Sequence, residues 1–161
     1  MDSEMKNTHQ YLTFQLDREW YGIEVSRIEE VLEYQPITRV PKMPESMRGV
    51  INVRGNIVPV VDLRQKFGLA ISEVTVDTCI IVLEVAAEGE TIRIGTIADT
   101  VEEVVEIVPE QIEPAPKIGT KMDTYSIEGI GKLDAKFVVI LDTDKIFTTE
   151  DIGQAAELAA E

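Results

Sequence analysis

The stretch GVINVRGNIVPVVDLR, from Gly49 to Arg64, decides the fold. Two apolar runs flank Arg54-Gly55-Asn56, and because the Gly-Asn pair tolerates positive φ, the pattern predicts a β-hairpin with Arg54 at its tip. Pro59 has no amide hydrogen, so we expect the second strand at a sheet edge or bulged. Leu63–Phe67, followed by Gly68, predicts one helical turn that a glycine ends.

Further short strands lie on both sides of this hairpin. Tyr11–Leu16 alternates and predicts a half-buried strand, and Trp20–Val25 predicts its returning partner. Ser26-Arg27-Ile28-Glu29 fits a capping box, which predicts a short helix with Ile28, Val31 and Leu32 on one stripe. Two more strands are expected at Thr78–Val85, buried on both faces, and at Thr91–Ala98. Strands that recur this often favour sandwiches or small barrels.

The sequence contains an internal repeat. GIEVSRIEEVLEY, starting at Gly22, aligns with GTIADTVEEVVEI, starting at Gly95, at an offset of 73. Gly49–Phe67 aligns with Gly129–Phe147 at an offset of 80. The chain is therefore expected to hold two copies of one unit, each too small for a robust core of its own, packed together about a pseudo-twofold axis with a groove between them.

Composition excludes several classes of function. The 161 residues carry a formal net charge of −15, which argues against nucleic acid and anionic membranes as partners. Residues 1–75 contribute only −2 of this charge, because seven basic residues cluster between Arg27 and Lys66. Either they are ordinary solvated side chains or they form a basic face for an acidic partner. The start MDSEMKNTHQ lacks secretory-signal features and Cys79 is the only cysteine, so we expect a cytoplasmic protein.

The residue types needed for catalysis are scarce. His9 is the only histidine and is expected in a flexible tail over residues 1–9, while Cys79 is expected as a small core residue. One cysteine and one histidine cannot build a zinc site, and the phosphate-loop and calcium-loop patterns fail at required positions. Asp142 repeats Asp62, which favours a structural turn role. We therefore expect no enzyme activity, no cofactor and no metal.

The hairpin stretch Gly49–Arg64 closely resembles the signature of the CheW family of bacterial chemotaxis coupling proteins. The blocks Gly22–Leu32 and Gly129–Phe147 resemble that family too, so the likeness covers residues 10–148. It implies an all-β fold with short helices, in which two pseudo-symmetric five-stranded SH3-like barrels are followed by a C-terminal helix over residues 149–161. The approximate limits of the two units are 20–75 and 76–148, with an N-terminal strand free to cross between them. Since 161 residues leave no room for a kinase or receiver segment, we expect a stand-alone member of the family.

The resemblance implies a non-catalytic adaptor that couples chemoreceptors (methyl-accepting chemotaxis proteins) to the regulatory domain of the histidine kinase CheA, recruited to receptor arrays at the inner face of the membrane. The family's receptor groove lies between the barrels. Carried over by motif, its residues are Leu12, Val25, Ile28, Glu30, Val31, Gly49, Arg54 and Val101, with Gly49 shaping a loop. A groove that grips the face of a receptor helix is consistent with these residue types.

The resemblance places the kinase contact on the loop Pro114–Gly119, at Lys117 and Ile118, where two prolines stiffen the backbone. A rigid connector is the other interpretation of this loop. For the receptor residues Val25, Ile28 and Val31, plain core packing is the competing interpretation. For the whole chain, the alternative function is a stand-alone soluble β-barrel module that binds a small ligand or acts as a carboxylate-based hydrolase.

Overall fold

The computed structural model describes residues 9–43, 47–70, 73–87, 89–114, 127–133, 135–147, 151–153 and 155. Over these residues the chain forms short strands that pair mostly antiparallel, which confirms the expected all-β fold with short helices. The strands are β1 His9–Leu16, β2 Glu19–Glu24, β3 Ile28–Glu33, β4 Met47–Val53, β5 Asn56–Val61, β6 Cys79–Ala87, β7 Glu90–Ala98, β8 Thr100–Ile107, β9 Ile112–Glu113, β10 Ile127–Leu133 and β11 Lys136–Leu141. The helices are α1 Leu63–Lys66 and α2 Thr143–Ile146, and residues 151–153 and 155 are also helical.

The strands form two sheets. The six-stranded sheet has the order β8-β1-β2-β11-β10-β9, and the five-stranded sheet has the order β3-β6-β7-β5-β4. Each sheet therefore combines strands from both halves of the sequence: β2 pairs with β11 in one, and β5 pairs with β7 in the other. The expected limits 20–75 and 76–148 follow the sequence repeat, but they do not separate the two sheets.

The repeat seen in the sequence is also a repeat in space. Val60 lies opposite Gly95 in the parallel β5–β7 ladder, and Ile140 lies opposite Gly22 in the parallel β11–β2 ladder. The two ladders are equivalent in the repeat, since Val60 corresponds to Ile140 at the offset of 80 and Gly22 corresponds to Gly95 at the offset of 73. Asp62 and Asp142 begin α1 and α2, and each carboxylate accepts a hydrogen bond from the amide two residues ahead, at 2.9 and 3.0 Å. The structural turn role expected for Asp142 is confirmed.

Three apolar clusters hold the sheets together. One lies within the five-stranded sheet around Val58, Val60 and Val82, and another within the six-stranded sheet around Tyr11, Ile107 and Ile140. The largest cluster, which we call the main core, draws on both sheets and both helices; it includes Phe14, Leu16, Ile23, Leu63, Ile81, Leu83, Ile94 and Ile146. Because each fully buried aliphatic side chain contributes about 1.5–3 kcal/mol, the main core is the dominant link between the two units.

The prediction of a helix after Ser26 is wrong. Val25–Arg27 forms a 3₁₀ turn, Ser26 does not cap it, and strand β3 follows from Ile28. Asp99, the equivalent of Ser26, likewise precedes strand β8 rather than a helix. In both strands a β-bulge inserts one extra residue, between Ile28 and Glu30 in β3 and between Val101 and Val104 in β8.

Pro59 lies neither at a sheet edge nor at a bulge, contrary to expectation. Strand β5 is an interior strand, and the irregularity of the β4–β5 ladder falls at Arg48. Pro59 faces Val50, whose amide and carbonyl both bond to Thr38 on the other side at 2.9 Å. Pro59 and Val50 therefore form a pair without backbone hydrogen bonds between them, so the missing amide hydrogen of Pro59 costs the β4–β5 ladder nothing. On its other side, the ladder with β7 begins only at Val60.

Three further sequence expectations need correction. His9 is not in a flexible tail but starts β1, opposite Ile107, with Nδ1 2.9 Å from Oε2 of Glu24. Strand β1 is buried on both faces rather than one, since Tyr11 and Thr13 are buried as well as Leu12. Cys79 is partly exposed rather than in the core, and burial of its thiol still raises its pKa.

The start of the expected C-terminal helix is anchored to the first half of the chain. Asp151 is only 3% exposed, and its Oδ2 lies 2.5 Å from Nζ of Lys66 at the end of α1. Ala155 is fully buried in the main core, and Ile152 packs against it.

Candidate functional site

The tip of the β4–β5 hairpin presents Arg54 to solvent. Arg54 and Gly55 both have positive φ, +50° and +89°, so the two-residue turn is formed by Arg54-Gly55 and not by the expected Gly-Asn pair. Oδ1 of Asn52 accepts a hydrogen bond from the amide of Gly55 at 2.8 Å, which stabilises the turn. The Arg54 side chain is 68% exposed.

Arg54 forms a two-pronged ion pair with Glu30. Its Nη1 donates to Oε1 of Glu30 at 3.1 Å, and its Nη2 donates to Oε2. Glu30 belongs to β3, one edge strand of the five-stranded sheet, and Arg54 follows β4, the other edge strand. The ion pair therefore joins the two edges of the sheet at the hairpin tip. The hydrogen bond from Arg54 lowers the pKa of Glu30, so Glu30 is a carboxylate at neutral pH.

Glu29 is paired as well. Oε1 of Glu29 accepts a hydrogen bond from Nη1 of Arg93 in β7 at 3.2 Å. The adjacent carboxylates of Glu29 and Glu30 therefore each face a guanidinium and not each other. A general acid must hold a proton at the working pH, and the Arg54 ion pair keeps Glu30 in its carboxylate form.

Four apolar side chains on the edge strands β3 and β8 border the main core. Val31 lies opposite Ile81, and Val104 lies opposite Leu12. Directly opposed residues share a sheet face, so both valines lie on the face of the main core, to which Ile81 and Leu12 belong. Ile28 and Val101, three residues before each valine, are partly buried and pack against the same core. We call these four residues the apolar edge strip: Ile28, Val31, Val101 and Val104.

The apolar edge strip follows the internal repeat. Ile28 and Val101 correspond at the offset of 73, as do Val31 and Val104. Both pairs lie on edge strands, β3 in one sheet and β8 in the other. Val31 is 41% exposed and Val104 is 51% exposed, which is unusual for valines beside a core. Each sheet thus contributes one exposed valine and one core-packed apolar neighbour to the strip.

The other residues expected in the receptor groove occupy different environments. Leu12 is only 7% exposed and lies in β1 beside the strip. Val25 lies in the 3₁₀ turn that leads into β3 and is partly buried. Gly49 does not shape a loop: it lies inside β4 with φ +145°, and a Cβ there would overlap the carbonyl of Thr38. Gly49 lets the backbone of β4 pack against residues 37 and 38.

Sequence reasoning missed Val104, although the signal was available. Val31 and Val104 are identical at the offset of 73, so extending the groove from Val31 by the repeat would have found Val104. The repeat also exposes an asymmetry, since Asp134 occupies the sequence position equivalent to Arg54. The expected kinase-contact residues, Lys117 and Ile118, lie outside the described residues.

Within the part of the chain that the structure describes, no group of three or more His, Cys, Asp or Glu side chains is placed to hold a metal ion. The same residues include no helix long and apolar enough to cross a bilayer.

Comparisons with known proteins place this geometry in a family. Residues 10–151 match the family model described as CheW-like domain. The chain is 32% identical to Chemotaxis protein CheW of Bacillus subtilis, over 96% of this chain and 97% of that protein. It is also 32% identical to Chemotaxis protein CheW of Klebsiella aerogenes, over 93% of this chain and 88% of that one.

A solved structure shares the fold. The scaffolding protein TtCheW from Thermoanaerobacter tengcongensis superposes with a TM-score of 0.78 at 36% identity, over 87% of this chain and 88% of that chain. The expected pair of SH3-like barrels is thereby confirmed. Because the family model covers most of the sequence, the chain belongs to the CheW-like domain family.

Proposed function

We propose that the chain is a non-catalytic adaptor that couples chemoreceptors to the histidine kinase CheA in bacterial chemotaxis. Family membership and relatives named as chemotaxis proteins support this role. The observation that carries it is the apolar edge strip: an edge strand of each sheet places an exposed valine beside an apolar residue that packs against the main core.

The strip suits a helical partner. An amphipathic helix presents apolar side chains three and four residues apart, and a groove with several apolar contacts can grip that face. Exposed Val31 and Val104 would contact the helix, and Ile28 and Val101 would form the floor. Glu30 directly precedes Val31 in β3, and its ion pair with Arg54 would supply charges that orient the partner.

The second partner surface is proposed on the loop that contains Lys117 and Ile118, which would bind the regulatory domain of the kinase. The adaptor would act in the cytoplasm, at receptor arrays on the inner face of the membrane. This assignment rests on the family resemblance of the sequence alone.

Arg54→Asp tests the receptor contact. It should abolish binding to a purified chemoreceptor cytoplasmic fragment and leave CheA binding at the wild-type level, because Arg54 is not part of the loop proposed to bind CheA. Isothermal titration calorimetry with both proteins measures this, and circular dichroism checks the fold. Equal loss of both affinities, or wild-type receptor binding, would contradict the proposal.

The Arg54–Glu30 ion pair calls for a matched control, since Arg54→Asp also places a second carboxylate beside Glu30. The double variant Arg54→Glu with Glu30→Arg restores an ion pair between the same two positions. If the receptor contacts Arg54 directly, the double variant should regain the stability lost in Arg54→Asp but should not regain receptor binding. Recovery of receptor binding together with stability would mean that the ion pair acts only on the fold.

A further inference from the structure

A basic cleft lies at the end of β4 opposite Arg54. It has a volume of about 630 Å³ and is formed by residues 34–43, the start of β4, and α1. Its floor is apolar, with Tyr34, Met43 and Met47, and its rim carries Arg39, Lys42 and Arg48. None of its described lining residues is acidic, in a chain that holds 30 acidic residues.

The rim cations are available to a ligand. Arg39 and Lys42 are exposed, and neither forms an ion pair with any residue that the structure describes. Arg48 donates from Nη1 to Oδ2 of buried Asp62 at 2.8 Å, which fixes the guanidinium while leaving its side chain 33% exposed. An anion in the cleft would therefore meet three cations without displacing an existing carboxylate.

The wall of the cleft is held in place by the backbone. Thr38 and Val50 exchange two hydrogen bonds, amide to carbonyl in both directions, each 2.9 Å long. Gly49 allows this close approach, since a side chain there would meet the Thr38 carbonyl. Arg39 and the apolar residue Ile37 thus extend from a fixed strand-like segment, which lowers the entropy lost when a ligand binds.

We propose that this cleft binds an acidic peptide segment of a partner protein, with carboxylates on Arg39, Lys42 and Arg48 and apolar side chains on Tyr34 and the two methionines. Charge complementarity selects an acidic ligand, and the apolar floor favours a peptide over an inorganic anion. Methionine side chains adapt to varied apolar partners. The cleft lies at the opposite end of β4 from Arg54, about 20 Å away for six strand residues, so the cleft and the hairpin tip are separate surfaces.

The test uses a fluorescein-labelled decapeptide that alternates glutamate and leucine, with a matched peptide in which glutamine replaces glutamate, and inorganic phosphate as a competitor. Fluorescence anisotropy should show binding of the acidic peptide alone. Arg39→Glu with Lys42→Glu should weaken it by about tenfold or more. The control pair Arg18→Glu with Lys145→Glu, which changes the net charge equally elsewhere on the surface, should change it less than about twofold.

Several results would overturn the proposal: no binding of the acidic peptide, equal binding of the glutamine peptide, an equal effect of the two variant pairs, or full displacement by millimolar phosphate. If the double glutamate variant fails to fold, Arg39→Gln with Lys42→Gln replaces it. Receptor-fragment affinity measured on the same variants should stay at the wild-type level, so failure of this proposal is distinguishable from failure of the adaptor role.

Discussion

Single residues at the hairpin tip make stability depend on pH. The pKa of Glu30 is lowered from its ordinary value of 4.5 by Arg54, so the ion pair stabilises the fold above that pH and is lost as pH falls through the lowered pKa. We expect Arg54→Gln to be less stable than wild type at neutral pH, with the difference narrowing in acid. Urea denaturation at pH 7 and pH 3.5 measures it. A difference that grows in acid would contradict this origin.

Glycines at equivalent bulges should be far less replaceable than the glycine of the turn. A Cβ at Gly49 would overlap the Thr38 carbonyl, and a Cβ at Gly129 would lie 2.5 Å from Cγ2 of Ile112. Each alanine variant should lose about 3 kcal/mol of unfolding free energy. Gly55→Ala, with φ +89° but open space around the Cβ, should lose about 1 kcal/mol. Thermal and urea unfolding of the three variants would refute this order if Gly55→Ala were the most damaging.

At the scale of elements, two similar ion pairs each join a helix from one half of the sequence to a turn from the other half. In one pair the helix supplies the cation, and in the other it supplies the anion. Arg64 of α1 binds Asp99 of the β7–β8 turn, with Nη2 and Oδ2 2.5 Å apart. Its counterpart in α2, Asp144, binds Arg27 of the β2–β3 turn, with Nη2 and Oδ2 2.7 Å apart. Each helix is therefore tied to a turn from the other half of the sequence, and the sign of the charge distinguishes the two junctions.

Burial predicts which junction matters more. The Arg64 side chain is 10% exposed and that of Arg27 is 40% exposed. Asp99→Asn should therefore cost about 2 kcal/mol, because it leaves a buried guanidinium without its main partner, while Asp144→Asn should cost no more than about 0.5 kcal/mol. Chemical denaturation of both variants measures the two costs, and the reverse order would rule out this ranking.

The bulges also explain why strand β3 was expected to begin as a helix and why β8 has the same apolar spacing. In a regular strand, residues three apart point to opposite faces. An inserted residue reverses that relation, so Ile28 and Val31 share a face, as do Val101 and Val104. The apolar spacing then equals that of a helix. Three residues of the strip, Ile28, Val31 and Val101, were named from the sequence, but the bulges that give each strand's two strip residues a common face depend on pairing with β6 and β1.

At the scale of the molecule, the sequence predicted two equivalent units and allowed an N-terminal strand to cross between them, but it did not predict that β6 and β7 join the sheet of β3, β4 and β5. The equivalence is visible because Gly22 matches Gly95 and Gly49 matches Gly129. The pairing of β2 with β11, and of β5 with β7, is a long-range choice that local pattern does not encode. The clustered cations between Arg27 and Lys66 indicated a basic surface in the sequence. The apolar floor of the basic cleft could be recognised only in the tertiary structure.

The exchange predicts that neither half folds alone. Fragments 1–75 and 76–161 each lack strands of both sheets and a large share of the main core. Each fragment alone should lack a fixed tertiary structure and give a poorly dispersed NMR spectrum. Mixing the two fragments should restore a dispersed spectrum. A dispersed spectrum from either fragment by itself would show that one half carries a sufficient core.

The central claim is that the apolar edge strip receives a helix of the chemoreceptor. Its most direct test is a methyl NMR titration of the isoleucine- and valine-labelled chain with a chemoreceptor cytoplasmic fragment. We predict that Ile28, Val31, Val101 and Val104 shift together, with one affinity, while Val58 and Val60 inside the five-stranded sheet stay unchanged. Shifts confined to either sheet alone, or absent from all four residues at saturation, would contradict the account.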